Sequence, residues 1–199
     1  MSWFWLSVIG FVSILPLYFI SLEHDRLEEL FGKNDVTIGN FLGAFSGWAL
    51  FIFWAGIWVS PQPHFNLNPK GMMLNMVFME LPLAHLIMGS IFFVLAVYFG
   101  IRGIMDLGMK TSETHRPEKV VKTGVYSRVR HPQYLGGILG HFSMTLLLSG
   151  LCSLYLIPLV VSEVILICLK EEWELIREFG NEYEEYRKEV PMLLPRIFD

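Results

Sequence analysis

The 199 residues are 53% hydrophobic and only 17% charged, with a net charge of -4 and a mean hydropathy of +0.48. Soluble domains carry about 25% charged residues. A water-soluble globule is thereby excluded, and a bilayer is the solvent for most of the chain.

Apolar runs predict transmembrane helices near Trp3 to Leu22, Phe41 to Val59, Leu74 to Gly100, Gln133 to Ser149 and Cys152 to Leu169. Each is close to the roughly 20 residues that cross the hydrocarbon. The expected fold class is all-α, a polytopic membrane protein with about five transmembrane helices and a cytosolic C-terminal helix. Residues 1–100 read as an N-terminal three-span region, and residues 101–199 as a cytosolic loop, a helical hairpin and a tail.

The first two runs are rich in Trp, Phe and Leu and read as lipid-facing packing and interfacial anchoring. No basic residue precedes the first run and no small-residue cleavage pattern follows it, which predicts a retained helix rather than a signal peptide. Between the two, Leu22, Leu27, Leu30 and Phe31 stand among acids, the pattern of a short amphipathic helix at the membrane surface. The turn-rich segment Ser60 to Gly71 is expected on the opposite side, with His64 solvated.

The third run contains Glu80, Pro82 and His85. Ionisable groups at membrane depth face protein or water rather than lipid. Five residues apart on a helix, Glu80 and His85 point about 140° away from each other, so they form no dyad unless Pro82 kinks the helix. A buried hydrogen bond between helices is the expectation, and Arg102 and Asp106 form an i,i+4 pair further along. With five spans, every basic residue of the 15 except Lys70 falls on one side. The positive-inside rule makes that side the cytosol, together with the C-terminus and the His131 region.

The fourth and fifth runs are joined near Gly150 and must form an antiparallel hairpin. Its approach passes from a basic, polar segment through Arg130-His131-Pro132-Gln133-Tyr134, where Pro132 suits the first turn of a helix. Tyr134, Ile138 and His141 follow at i, i+4 and i+7, so Tyr134 and His141 share a face. Gly136, Gly137 and Gly140 leave part of that helix bare, which suits a close neighbour or a flat ligand. Glu163 lies inside the fifth run. Cys152 and Cys168 stand near its two ends, about 24 Å apart, too far for a disulfide. Beyond Leu169 a charged helix emerges, with most of its acids, Glu178 among them, on a solvated face. The histidines lack partners at metal-ligand spacing, and no metal is expected.

Hairpin arms of similar length bring Glu171 back beside His131. Opposite charges then meet at the cytosolic mouth, which suits a zwitterionic ligand with an apolar or aromatic body. S-adenosylmethionine has that form: a carboxylate for the cationic side, an ammonium for the glutamate, an adenine for apolar surfaces, and a sulfonium that favours tyrosine faces.

The segment VVKTGVYSRVRHPQYLGG, followed after the hairpin by EEWELIREFGNEYEEYRKEVPMLLP, resembles the isoprenylcysteine carboxyl methyltransferase group of integral-membrane methyltransferases. The resemblance runs from Asp106-Leu107-Gly108 onward and does not extend to the first two spans. It implies S-adenosylmethionine as cofactor, held by the segment Glu118, Lys119, Val120 and Val121, by Tyr126, by His131, Pro132, Gln133 and Tyr134, and by Glu171. Arg130 joins these as the second cation of its pair. The implied reaction is in-line transfer of a methyl group to a small or lipophilic nucleophile, a thiol, amine or carboxyl, in a site that positions the reactants and excludes water. One position departs from the pattern. Where the prenylcysteine enzymes carry an arginine that engages the substrate carboxyl, this chain has Ile167, so a prenylcysteine acceptor does not follow.

If the nucleophile carries a proton, His141 and Glu163 are the catalytic candidates for receiving it. Expected partners are a lipophilic or small-molecule methyl acceptor and membrane lipid, with no nucleic acid. Two alternatives are carried. An NADPH-dependent membrane reductase of the sterol reductase type has a similar tail, but its pattern expects an asparagine where this chain has Pro132-Gln133. A catalytically silent membrane adaptor is the other.

Overall fold

In lipid the backbone must satisfy its own hydrogen bonds, which favours helices wherever the chain is continuously apolar. The computed structural model describes residues 2–75, 80–108 and 119–195 and is predominantly helical. In chain order it comprises α1 (Ser2–Leu22), α2 (His24–Phe31), a 3₁₀ turn (Gly32–Asn34), α3 (Asp35–Val59), β1 (Met73–Asn75), β2 (Glu80–Pro82) and α4 (Leu83–Leu107). A second 3₁₀ turn (Gly124–Ser127), α5 (Pro132–Leu147), α6 (Leu151–Tyr155), α7 (Ile157–Phe179) and α8 (Asn181–Glu189) complete the described chain.

The protein is an all-α polytopic membrane protein, but the expectation of five spans is met for three. Among the described residues, Ser2–Leu22, Asp25–Val59 and Leu83–Leu107 are long and apolar enough to cross a bilayer. Helix α5 has 16 residues, about 24 Å, short of the roughly 30 Å of hydrocarbon. Helix α7 has 23 residues, but its last turns are charged. The hairpin itself is present. Phe65 N–H donates to the Ser149 carbonyl (3.0 Å) and Leu151 N–H to the Pro63 carbonyl (2.9 Å), so its tip is level with the loop after α3. At its other end, the Lys170 ammonium meets Glu23, just before α2, at 3.3 Å. The fifth run is broken into α6 and α7. Cys152 and Cys168 therefore sit on different helices, and both are free.

The third span starts later than expected. Met73–Asn75 pairs antiparallel with Glu80–Pro82, so Glu80 is an exposed strand residue opposite Asn75 rather than a charge at helical depth. Pro82 immediately precedes α4, where its missing N–H costs nothing and no kink results. His85 is fully buried. Its Nε2 accepts from Leu67 N–H (3.0 Å), which leaves Nδ1–H for the Ser149 hydroxyl (2.9 Å) and the Leu146 carbonyl (3.2 Å). The expected interhelical hydrogen bond thus exists, and it ties the start of α4 to the hairpin tip.

Two packing units hold the helices. Phe4, Val8, Phe11, Leu15, Tyr18 and Leu22 form one stripe of α1 that packs with Leu50 and Ile57 of α3 and with Val160 and Ile167 of α7. The opposite faces leave Trp3, Trp5 and Trp48 exposed to lipid. Helix α4 packs along α5, with Gly136 set directly against the α4 backbone. A Cβ there would lie 2.8 Å from Gly100 N and 2.9 Å from the Ala96 carbonyl oxygen, atoms of a helix backbone that cannot yield. Gly136→Ala is expected to cost about 2 kcal/mol and lower the thermal midpoint in detergent. At Gly140 a Cβ would meet only Ala96 Cβ at 3.9 Å, so Gly140→Ala should melt like the unaltered protein.

Candidate active site

The site begins at the end of α4. Gly124 has φ of 63°, and a side chain there would collide with the Asp106 carboxylate. Glycine at this position lets Asp106 Oδ2 accept from Val125 N–H at 2.8 Å, while Arg102 pairs with Asp106 at 3.5 Å. The 3₁₀ turn of Gly-Val-Tyr is thereby fixed to α4 and Tyr126 is aimed inward. Tyr186 of α8 donates its hydroxyl to the Tyr126 carbonyl (2.7 Å), and Gln133 donates to the Tyr126 hydroxyl (3.4 Å).

His131 is the N-cap of α5 and Pro132 its first residue. The tail beyond α8 folds back here. Arg130 N–H donates to the Pro191 carbonyl (2.9 Å) and His131 N–H to the Met192 carbonyl (3.1 Å). The Arg130 guanidinium is engaged by Glu172 Oε1 at Nε (2.7 Å), by the Arg187 carbonyl (3.0 Å) and by the Val190 carbonyl. His131 Nε2 lies 3.1 Å from the same Glu172 oxygen, and its Nδ1 lies 3.6 Å from Glu171 Oε2. Glu171 Oε1 accepts from the Tyr134 hydroxyl and from the Tyr18 hydroxyl (3.1 Å), and the two phenolic oxygens are 2.9 Å apart.

These groups open on a cleft whose empty space is about 910 Å³, with the open solvent at its mouth included. Of the residues named from sequence, Lys119, Val120, Val121, Tyr126, Arg130, His131, Gln133, Tyr134 and Glu171 line it. Pro132 is buried behind His131, and Glu118 lies outside the described residues. The two catalytic candidates are elsewhere. His141 is buried, with Nδ1 accepting from the indoles of Trp54 and Trp58 (2.9 Å each) and Nε2 donating to the Ser153 carbonyl (3.1 Å). Its nitrogens are committed, and it does not line the cleft. Glu163 is 3% exposed, and both of its oxygens lack a hydrogen-bond partner among the described residues. It is not a lining residue either, but it stands at i, i+4 and i+8 with Ile167 and Glu171, on one face of α7 and about 12 Å deeper than Glu171.

Glu178, expected on the solvated face, is exposed but lines the rim of the cleft. Sequence reasoning also passed over Leu22, Leu107, Glu174, Leu175, Tyr183 and Tyr186, and above all Tyr18; Glu172 stands apart from the solvated acids together with Glu171, but its task of holding Arg130 and His131 is not readable from sequence. Burial works against the Glu172 charge, but its bonds from His131 and Arg130 outweigh that and hold the carboxyl below its ordinary range. Burial pushes the Tyr126 phenol up to about 12 and raises Tyr183 and Tyr186 as well, so all three remain neutral donors at physiological pH.

Residues 84–182 match the family model described as phospholipid methyltransferase, and over this stretch the chain is similar to that family. It is 41% identical over 75 residues to methanethiol S-methyltransferase 2 of Bradyrhizobium diazoefficiens, covering 37% of this chain and 28% of the relative. It is 34% identical over 87 residues to the protein-S-isoprenylcysteine O-methyltransferase of Schizosaccharomyces pombe, covering 43% of this chain and 37% of that protein. A methanethiol S-methyltransferase of Crocosphaera subtropica is 33% identical over 101 residues, 50% of this chain and 39% of its own length. The chain thus spans well under half the length of each of these relatives. No solved structure matches it significantly.

Proposed function

We propose that this chain is an integral-membrane methyltransferase that takes its methyl group from S-adenosylmethionine and delivers it to a small or lipophilic nucleophile. The observation that carries the reading is the convergence of His131 and Glu171, 3.6 Å apart, on one cleft walled by Tyr126 and Tyr134. The donor set fits a zwitterionic nucleoside. Glu171 receives the ammonium. His131 and Lys119 face the carboxylate. Val120, Val121 and the tyrosines supply apolar walls for the base. When bound, the donor supplies an electrophilic methyl on a positively charged sulfur. The chain's own contribution is positioning and the exclusion of water. The cleft and the C-terminal segment face the cytosol in this reading, because the basic residues gather on that side.

Arg130 is not a ligand group in this arrangement. Its guanidinium is spent on Glu172 and on main-chain carbonyls, and its role is to hold the His131 loop. The acceptor would come from the bilayer along the α7 face that carries Ile167. Ile167 lies within an apolar cluster with Tyr18 and Tyr134, surroundings that favour an uncharged, proton-bearing acceptor over a carboxylate. Two of the relatives are named for methanethiol, a thiol. Glu163, whose oxygens have no hydrogen-bond partner among the described residues, is the group that would take up the acceptor's proton.

Calorimetry in detergent with S-adenosylhomocysteine and, separately, NADPH is the first test: the homocysteine compound binds and NADPH does not. The reverse result would transfer the assignment to a reductase. Methyl-labelled donor with a panel of thiols, amines and carboxylates should label thiols or amines. In the same assay Glu163→Gln should lower turnover while leaving S-adenosylhomocysteine affinity unchanged. Unaltered turnover would remove Glu163 from the chemistry.

A further inference from the structure

The acidic corner of the cleft is not built by the hairpin alone. Tyr18 comes from α1, outside residues 84–182 that match the family. It is 4% exposed, and its ring belongs to the α1, α3 and α7 apolar cluster, yet its hydroxyl reaches Glu171 Oε1 at 3.1 Å and the Tyr134 oxygen at 2.9 Å. Leu22, one turn further along α1, lines the cleft directly. A phenol whose ring packs in the core while its hydroxyl finds a carboxylate has a polar task there, since a phenylalanine would fill the same space without needing a partner.

We propose that Tyr18 is a positioning residue for the cofactor site, and that α1 is one of its walls. This rests on the methyl-donor reading. The Glu171 side chain has rotatable bonds and stands beside His131 and one residue from Glu172. Left alone it has several orientations, only some of which aim an oxygen into the cleft. Tyr18 and Tyr134 come from different helices and donate to the same Oε1. Together they fix the plane of the carboxylate and hence the direction in which Oε2 meets a ligand's ammonium. Tyr134 travels with the hairpin. Tyr18 is anchored in α1, so it registers the position of the N-terminal helix against the site. The ligand feature it serves is specific: the cationic amino group, not the nucleoside.

The test compares two probes in the full-length protein. S-adenosylhomocysteine carries the ammonium and carboxylate, whereas 5′-methylthioadenosine has the same nucleoside thioether without them. Tyr18→Phe keeps the ring and deletes the hydroxyl. It should weaken S-adenosylhomocysteine about tenfold, the scale of one hydrogen bond to a charged group, and leave 5′-methylthioadenosine unchanged. In turnover, KM for the methyl donor should rise by the same factor, with kcat at saturating donor within about twofold. Leu15→Ala, on the same stripe of α1, removes only packing; it should lower the thermal midpoint with the ratio of the two affinities preserved. Equal weakening of both probes by Tyr18→Phe, or no change in either, would overturn the inference while leaving the methyl-donor reading in place. Failure of the unaltered protein to bind S-adenosylhomocysteine would overturn both.

Discussion

Glu171→Gln is expected to weaken S-adenosylhomocysteine binding about a hundredfold, while Glu185→Gln leaves it unchanged. Removing one partner of a desolvated, hydrogen-bonded charge pair costs about 2–5 kcal/mol, and each 1.4 kcal/mol is about a factor of ten. The Glu171 side chain is 14% exposed, so the lower half of that range applies. The substitution is isosteric, and the amide oxygen can still accept from Tyr18 and Tyr134, so the unliganded protein should keep its thermal midpoint. Glu185 is on α8, exposed, and does not line the cleft, which makes it the proper comparison. Glu178 would not serve, because it stands at the rim. Equal effects at positions 171 and 185, measured by calorimetry, would remove the special role of Glu171.

The largest loss of stability is expected at the neighbouring residue. Glu172 is 2% exposed and takes Arg130 Nε at 2.7 Å and His131 Nε2 at 3.1 Å. Glu172→Ala leaves the buried Arg130 guanidinium without its carboxylate, a change that costs about 3–5 kcal/mol. The thermal midpoint should fall by about 10 °C. The double variant Arg130→Met with Glu172→Leu should be less damaged than Glu172→Ala, because no charge is then stranded. The pH dependence has a definite sign. The Glu172 carboxyl is held below its ordinary value of 4.5, so its contribution is present above that value and is lost as pH falls through the lower, folded value. The unaltered protein should lose stability on acidification below pH 4.5, and the slope should be shallower in Glu172→Ala. Identical acid profiles for the two would show that the Arg130 bridge contributes nothing.

What the chain discloses before folding depends on how local each signal is. The segment from Tyr126 to Tyr134 is contiguous, and two helical arms of similar length joined by a tight turn leave little choice about which residues return beside it. His131 and Glu171 could therefore be paired on paper. Adjacent residues on a helix point about 100° apart, and nothing in Glu171-Glu172 says which faces the cleft and which anchors Arg130. The tail carbonyls that seat Arg130 and His131 are main-chain groups and leave no trace in residue identity. Tyr18 was illegible for a related reason: an apolar helix has no marked face until its neighbours are known. His141 shares the Tyr134 face by spacing, but Trp54 and Trp58 arrive from α3 to occupy it. The third span was placed too early because the residues of a short β-hairpin are as apolar as a helix, and strand pairing is a non-local event.

The main-chain seat for Arg130 and His131 has a consequence for biosynthesis. The acceptors at Pro191 and Met192 leave the ribosome some 60 residues after the loop they hold, when α1 to α7 already have their sequence-encoded apolar surfaces to bury. Helices can insert and pair before then, but the His131 loop gains its main-chain seat only after the segment carrying Pro191 and Met192 has been made and has folded back on it. A ligand that binds only the closed cleft would, by mass action, help to draw that segment into place.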